Sequence, residues 1–207
     1  MEDEYNLLLQ YAFNNADLKI SKITDEIIKL DGMCGEKAKH YYNNLLDFED
    51  QVRYLEIGSW KGSSICSAMY NNKYNNSKFL CIDNWNVVGG KDEFINNIQK
   101  YKGTNEINYL DIDYLNNFPN IDSKFNIYVY DGDYMKDSNF KALVNYYNYL
   151  DDAFIYIKND WNEKNVRDET EEAIKKLNLK IMYKKEIIEA KSIKNWWNGI
   201  CFFIFKK

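Results

Sequence analysis

The segment YLEIGSWKGSS, residues 54–64, has the composition of a loop that binds a cofactor. An apolar strand end runs into Glu56, and Gly58 and Gly62 then lie on a turn before small residues open a helix. Because glycine lacks a Cβ, the backbone can turn sharply there and touch a ligand. The other small residues of the loop and the helix start are Ser59, Ser63 and Ser64. Free N–H donors at a helix start favour a carboxylate or a phosphate, so the segment predicts a nucleotide-cofactor loop, with a plain glycine turn as the alternative.

The spacing of the two glycines separates the cofactor classes. Neither the G-x-G-x-x-G pattern of dinucleotide folds nor the G-x-x-x-x-G-K-[ST] pattern of P-loops is present. The pattern Glu-x-Gly-x-x-x-Gly resembles the first motif of class I S-adenosylmethionine (SAM) methyltransferases. An acid beside the glycines suits the ammonium and sulfonium of SAM and conflicts with a pyrophosphate. The resemblance therefore implies SAM and makes an NAD(P) protein the weakest alternative.

Acidic residues end the apolar runs that follow this loop, where ligands of open α/β sheets collect. Asp83 comes 25 residues after Gly58, where an acid that hydrogen-bonds ribose hydroxyls is expected; its alternative role is to cap the next helix. Asn84 follows it, and the Trp85 indole can either wall the adenosine or belong to the core. Asp111, at the end of the third run, is expected to meet the adenine amino group.

Two further polar segments, YDGDYMKDSNFKAL and NDW, end the next two runs. Asp131 and Asp133 straddle a glycine, and paired acids there can bind a cation or take a proton. Asp131, Asn159 and Asp160 together offer hard oxygen ligands that suit Mg²⁺. The alternative is that these acids cap helices and hydrogen-bond the SAM ammonium.

The segments DGDYMKDSNFKAL and NDWNEKNVRDETEEAI are similar to the DxD and Asp-Asp-Tyr/Trp segments of TylF-type class I O-methyltransferases, which modify sugar hydroxyls. In that family, the first acid of DxD and the paired acids after the next strand hold Mg²⁺, and the second acid of DxD can serve as general base. The resemblance implies Asp131, Asn159 and Asp160 as metal ligands, with Asp131 also in the SAM site, and Asp133 as the base. Asn159 replaces an acid, which lowers the charge of the site, and Tyr134 stands where related proteins often have His.

His40 is the only histidine of the chain. It is an alternative base if the N-terminal segments fold over the crevice, and otherwise a structural residue. Aromatic residues that can either wall an acceptor pocket or pack at the sheet edge are Tyr134, Trp161, Trp196 and Trp197.

The elements that position these residues follow from apolar runs that alternate with helical periodicity. The runs are RYLEI (53–57), KFLCID (78–83), INYLD (107–111), FNIYVYD (125–131) and AFIYIKND (153–160), and the helical segments are residues 63–71, 92–101, 138–150 and 167–178. Two strand-like runs, KIMYKKEIIEA and GICFFIFKK, follow without a helix between them, which predicts an antiparallel hairpin at the sheet edge, typical of the methyltransferase fold. The alternation predicts an α/β, doubly wound parallel sheet, and the resemblance to class I methyltransferases implies a Rossmann-like sheet of seven strands in the order 3-2-1-4-5-7-6, with the last strand antiparallel.

Residues 1–50 contain the amphipathic segments LLLQYAF, ITDEIIKL and YYNNLLDF. They are predicted to form a helical cap over the cofactor mouth, and residues 51–207 to form the SAM-binding domain. No linker, repeat or low-complexity segment marks a further domain.

Charge and composition limit the partners. A net charge of −5 and a pI near 5.1 argue against binding nucleic acid, and no run approaches the roughly 18 apolar residues that span a bilayer. Four cysteines without a CxxC motif are expected to stay reduced, and the acidic start MEDEYNLLLQ lacks the basic region of a signal peptide. We expect a cytoplasmic protein with a small-molecule or glycan substrate, and the aromatic C-terminal edge and the helical cap are candidate homodimer surfaces.

These observations predict a SAM-dependent O-methyltransferase that acts on a hydroxyl group of a sugar or glycan, with Mg²⁺ as a candidate second cofactor. One alternative keeps SAM and changes the acceptor to a catechol or another metabolite. The other is a SAM-fold module that binds without turnover, which Asn159 favours because it weakens the metal site.

Overall fold

A seven-stranded sheet forms the centre of this computed structural model, which describes residues 2–46, 51–72, 77–86, 88–117 and 119–207. Its strands are β1 (Arg53–Ile57), β2 (Lys78–Asp83), β3 (Ile107–Asp111), β4 (Phe125–Tyr130), β5 (Leu150–Asn159), β6 (Lys180–Ile187) and β7 (Ile200–Lys206). The order is β3-β2-β1-β4-β5-β7-β6. The first five strands pair in parallel, and β7 runs antiparallel to both β5 and β6. The predicted sheet, its strand order and its reversed last strand are confirmed.

Helices cover both faces of the sheet. They are α1 (Glu2–Asp17), α2 (Asp25–Ile28), α3 (Glu36–Leu45), α4 (Ser63–Met69), α5 (Lys91–Tyr101), α6 (Ser138–Tyr146) and α7 (Lys164–Lys176), with a 3-10 turn at Tyr147–Tyr149. Helices α1 to α5 bury side chains in the core on one face, and α6 and α7 do so on the other. In the described part of the chain, no helix is long and apolar enough to cross a membrane.

The inner strands are apolar on both faces because helices cover both sides of a parallel sheet. Successive side chains of β5 alternate between the two cores: Ile155 and Ile157 join the core under α1 and α3, and Phe154 and Tyr156 join the core under α6 and α7. The limits of β1 to β4 match the predicted runs within one residue. Strand β5 starts three residues early, at Leu150, which pairs with the first residue of β4 across a register irregularity.

The three N-terminal helices correspond to the amphipathic segments predicted in residues 1–50. They share a core with the sheet: Leu9 of α1 and Tyr41 of α3 are buried there, and the ring of Tyr41 lies 4.2 Å from that of Phe202 on β7, centroid to centroid. Residues 47–50, where the predicted cap ends, lie outside the described residues, and the division into a cap and a domain stays a prediction.

Candidate active site

Gly58 turns the chain at the end of β1. Its φ of +86° is a conformation that L side chains rarely adopt, and a Cβ at this position would lie 2.3 Å from the carbonyl oxygen of Asp131. Its N–H donates to the carbonyl of Ile82, and the N–H of Asp131 donates to the carbonyl of Ile57, both at 2.9 Å. Glycine at this position therefore lets the ends of β1, β2 and β4 meet.

Gly62 is the N-cap residue that directly precedes α4, and its φ is +79°. Its N–H donates to the carbonyl of Ser59 at 2.7 Å, which closes the loop. The hydroxyl of Ser63, the first residue of the helix, is buried and has no hydrogen-bond partner among the residues that the structure describes. Such a group is one that a bound ligand can satisfy.

Glu56 lies fully buried beneath this loop. Its carboxyl group accepts hydrogen bonds from the hydroxyls of Tyr54 and Ser64, each at 2.9 Å. Burial raises the pKa of Glu56 to about 7, and the hydroxyl hydrogen bonds oppose that rise. The structure thus places Glu56 against protein groups, where it supports the loop from inside.

Asp83 ends β2 and holds two backbone segments together. One carboxylate oxygen accepts the N–H of Trp60 at 2.8 Å and the other accepts the N–H of Trp85 at 3.0 Å. The Trp85 indole is buried, donates to the carbonyl of Trp60 at 2.7 Å and packs on Phe94. Trp85 therefore fits the core alternative better than an adenosine wall. The side-chain oxygen of Asn84 accepts the N–H of Asn86 at 3.3 Å.

Asp111 ends β3, beside the end of β2. Its carboxylate pairs with Lys91 at 2.6 Å, and both side chains are roughly two-fifths exposed. Lys91 is the first residue of α5. Asp111 is therefore reachable at the rim of the crevice, with a cation already beside it.

Asp131 lies where the strand ends converge. The charges that act on its carboxyl group belong to Asp160, Lys158, Glu56 and Asp83, at the ends of the three strands β5, β1 and β2. Burial raises the pKa of Asp131 well above its usual range, and the nearby carboxylate of Asp160 raises it further. The crevice is thus an acidic and poorly hydrated place, which suits a cationic ligand.

Asp133 lies in the loop between β4 and α6 with its side chain exposed. Its backbone is fixed: its N–H donates to the hydroxyl of Tyr114 at 2.8 Å, and its carbonyl accepts the hydroxyls of Tyr130 and Ser138 at 2.8 and 2.7 Å. One carboxylate oxygen accepts the N–H of Met135 at 2.6 Å. A fixed backbone under an exposed carboxylate is a suitable arrangement for a proton acceptor at the mouth of the crevice.

The structure does not support the predicted Mg²⁺ site at Asp131, Asn159 and Asp160. The side-chain amide of Asn159 donates to the hydroxyl of Tyr42 at 3.0 Å, and Asp160 accepts a hydrogen bond from Asn198 at 2.9 Å. No cluster of three or more His, Cys, Asp or Glu side chains able to hold a metal ion occurs within the described ranges. Two of the three predicted ligands, Asn159 and Asp160, are therefore already hydrogen-bonded to other side chains.

Lys158 lies beside the acids at this edge of the sheet, and it was not among the residues predicted from the sequence. It is fully buried on β5, and its ammonium group donates to the carbonyl of Asn159 at 2.8 Å. Burial lowers the pKa of Lys158, whereas the carboxylates of Asp160 and Asp131 oppose that change. A lysine inside the apolar run AFIYIKND, in phase with Phe154 and Tyr156, was the signal that could have revealed it.

His40 lies on α3 and contacts Ser21 rather than the acids of the crevice. It is buried, and its Nδ1 is 2.8 Å from the hydroxyl of Ser21. Burial lowers its pKa, and the charged groups that act on it are Glu36 and Lys19. The structure does not bring His40 to Asp133, so its surroundings fit the structural alternative rather than the alternative base.

Two of the four aromatic residues considered for an acceptor wall belong to the core. Trp161 is buried and donates to Glu186 at 2.7 Å, and Trp196 is buried and stacks on Phe13 with ring centroids 5.5 Å apart. Tyr134 is exposed and Trp197 is partly exposed. Only these two of the four side chains are accessible enough to contact an acceptor.

The strand order and the reversed strand β7 define the Rossmann-like methyltransferase fold. The chain resembles the O-methyltransferase from Bacillus cereus in complex with SAH, with a TM-score of 0.60 and 14% identity over 100% of both chains. It also resembles the SAH-bound methyltransferase PaMTH1 from Podospora anserina, with a TM-score of 0.61, 10% identity, and 97% of this chain and 88% of that chain covered.

A third similar structure is TrmN from Thermus thermophilus, with a TM-score of 0.62 and 10% identity. The match covers 88% of this chain and 52% of that chain, so the present chain spans about half the length of TrmN. No protein-family model and no curated protein sequence matches the chain. The similarity is thus one of fold.

Proposed function

We propose that this protein is a SAM-dependent O-methyltransferase. The observation that carries the proposal is the glycine turn at Gly58, which is packed against Asp131 at the acidic carboxyl edge of a sheet with the methyltransferase strand order. Two proteins of the same fold were solved with SAH bound. SAH is the form of SAM that has lost its methyl group.

The residues at this edge fit SAM in charge and shape. The Gly58 turn and the buried Ser63 hydroxyl supply a close backbone approach and an unpartnered polar atom. In the proposal, Asp83 binds the ribose hydroxyls and Asp111 lies near the adenine. Asp83 already accepts two N–H bonds, but a carboxylate has about four acceptor sites, so room remains for a hydroxyl.

The proposed base is Asp133. Bound SAM supplies an electrophilic methyl group on a sulfonium, so a C–O bond to the acceptor forms as the C–S bond breaks. The acceptor oxygen must be held about 3 Å from the methyl carbon, and its proton must leave. The exposed carboxylate of Asp133 accepts that proton, and the three hydrogen bonds to its backbone keep it in place.

The proposed acceptor is a hydroxyl group of a sugar or glycan, which rests on the resemblance of the DGDYMKD and NDW segments to TylF-type enzymes. A second candidate is a small metabolite with an apolar body. It is favoured by the exposure of Met33, Tyr134 and Met135, which lie in segments at the carboxyl edge of the sheet. The net charge of −5 favours either acceptor over nucleic acid, and buried, unpaired cysteines are in keeping with the cytoplasm.

The test is a transfer assay with methyl-labelled SAM, using panels of nucleotide-sugars, glycans and small hydroxyl metabolites. We expect labelled product in one panel, and Asp133→Asn to lower its rate roughly 100-fold or more, in the range typical of general bases. SAM affinity, measured by calorimetry, should stay unchanged because Asp133 is placed at the acceptor side. The exposed Asp122→Asn is the matched control and should behave as wild type.

Failure to bind SAM, or label that reaches no hydroxyl acceptor, would contradict the proposed function. Full turnover by Asp133→Asn would contradict the assignment of the base alone. Mass analysis of the product identifies the methylated atom and so separates the two acceptor classes.

A further inference from the structure

We propose that the ammonium group of Lys158, buried beneath the strand ends that carry Asp131 and Asp160, supplies positive charge in place of a divalent cation, so that methyl transfer by this protein needs no Mg²⁺. The inference rests on the proposed function for the identity of the reaction. Its structural basis, the charge balance of the acidic crevice, can be tested without turnover.

The ammonium group of Lys158 lies at the ends of two neighbouring strands, β4 and β5. Lys158 Nζ donates to the carbonyl of Asn159 at 2.8 Å and lies 3.5 Å from the carbonyl of Tyr130. It also lies 4.7 Å from the centroid of the Tyr130 ring. Tyr130 and Asn159 directly precede Asp131 and Asp160 in the chain. One buried cation thus ties together the ends of the two strands that carry the acids.

This cation is shielded from water. Lys158 is fully buried, in phase with the aromatic side chains of β5 that face α6 and α7. A buried ammonium is costly unless hydrogen bonds and opposite charges compensate for lost water. Here the carbonyl groups supply the hydrogen bonds, and the nearby carboxylates of Asp160 and Asp131 favour the charged form of the lysine. The two acids therefore help to keep the buried lysine charged.

The charges at these strand ends favour SAM over a divalent ion. When Asp131 and Asp160 are both ionised, the two carboxylates and the ammonium leave a single negative charge, whereas a divalent ion added to this group would make it positive beside a buried cation. The amino-acid end of SAM with its sulfonium carries one net positive charge, from two cationic groups and one carboxylate. One remaining negative charge matches that ligand and does not match Mg²⁺ with SAM together.

The side chains that were predicted to bind Mg²⁺ at the end of β5 are already hydrogen-bonded within the protein. The amide of Asn159 is used by Tyr42, and Asn198 donates to both Asp160 and Glu163, at 2.9 and 3.2 Å. Mg²⁺ requires nearly octahedral oxygen ligands at about 2.0–2.1 Å. Binding it would break these contacts in addition to opposing the ammonium.

The experiment is a titration with Mn²⁺, a paramagnetic substitute for Mg²⁺, followed by the loss of the free-ion signal in electron paramagnetic resonance. Wild type is expected to bind no Mn²⁺ below millimolar concentrations. Lys158→Met, which leaves both acids without their cation, should bind Mn²⁺ at least tenfold more tightly, and Lys158→Arg should restore the wild-type behaviour. The exposed Lys141→Met removes the same charge from α6 and should leave Mn²⁺ binding unchanged.

Micromolar Mn²⁺ binding by wild type that Asp131→Asn abolishes would overturn the inference, even if Lys158→Met failed to fold. A folded Lys158→Met with no gain in Mn²⁺ affinity would overturn it as well. SAM binding by calorimetry that is unchanged by EDTA is the supporting result. If no acceptor is ever methylated, the proposed function fails, whereas the Mn²⁺ and SAM titrations still decide on Lys158.

Discussion

At the scale of single residues, the buried acid Glu56 makes the stability of the protein depend on pH. Its carboxyl group is shielded from water and held by the hydroxyls of Tyr54 and Ser64. The folded protein therefore favours the protonated form of Glu56 more than the unfolded chain does. A group with a raised pKa of this kind makes stability depend on pH.

We expect the ligand-free protein to lose stability between pH 5 and pH 8. The pKa of Glu56 rises from 4.5 to about 7 on folding; the folded state holds the proton longer, so stability is greatest below the unfolded value and falls as pH rises towards 7. This contribution amounts to about 3 kcal/mol at most. In urea unfolding, Glu56→Gln should reduce the fall, because glutamine stays uncharged and still accepts a hydrogen bond. An identical pH slope in Glu56→Gln and wild type would contradict this prediction, and Asp122→Asn should keep the wild-type slope.

Single residues also differ in how far the sequence could reveal them. Gly58 and Gly62 could be predicted because a sharp turn with positive φ and a close backbone approach favours glycine. Trp85 and Trp196 could not be assigned, since an indole has the same pattern in a pocket wall and in a core. The Tyr42–Asn159 contact joins residues 117 positions apart, and no local pattern encodes such a pairing.

At the scale of elements, the buried Lys39 holds the segment from α2 to α3 beside the loop between β1 and α4. Lys39 Nζ donates to the carbonyls of Ile28 and Leu30, both at 2.8 Å, and lies 3.4 Å from that of Ile27. These carbonyls lie at and after the end of α2, where a helix lacks internal donors. From there, Asp31 reaches Lys61 in the loop at 2.6 Å. Lys39 thus fixes the short helix and the segment that adjoins the loop.

Lys39→Met should free this segment and cost roughly 2 kcal/mol of stability, because charged hydrogen bonds to several buried carbonyls are lost. Hydrogen exchange of the amides in residues 25–31 should quicken more than that of amides in β4. The control is Lys29→Met, which removes an exposed ion pair with Asp25 and should change stability by less than about 0.5 kcal/mol. Unchanged exchange in residues 25–31 of Lys39→Met would be evidence against the role of Lys39.

The elements themselves were largely predictable, since alternating apolar and helical periods are local features. The limits of β1, β2 and β3 agree with their apolar runs. The early start of β5 was not predictable, because Leu150 joins the strand by pairing with Phe125, which is distant in the sequence. The alternation along β5 already placed Lys158 in phase with Phe154 and Tyr156, and the packing of α6 and α7 over that face shows that Lys158 is buried.

At the scale of the whole molecule, the N-terminal helices and the sheet share one core. Leu9 of α1 is buried in the same cluster as Ile155 and Ile157 of β5 and Phe202 of β7. Because these side chains bury one another's apolar surface, α1 has little independent stability. The folded unit therefore includes the N-terminal helices as well as the sheet.

We expect differential scanning calorimetry to record one cooperative transition. Leu9→Ala should lower the midpoint of that transition as a whole, with a cost of roughly 2–5 kcal/mol for the lost packing. Leu7→Ala is the matched control on the same helix, since Leu7 is exposed, and its midpoint should be close to that of wild type. Two separate transitions, or a Leu9→Ala protein that loses α1 alone, would show that the helices are an independent layer.

The position of β7 has a consequence for synthesis in the cell. This strand is made after all the others, yet it lies between β5 and β6 in the sheet. Until it emerges from the ribosome, the outer edge of the apolar strand β5 has no partner and is free to pair with a second nascent chain. Translation that stalls before Ile200 should therefore yield aggregates rather than a partly folded protein, and chaperones that shield open strand edges should matter most in that interval.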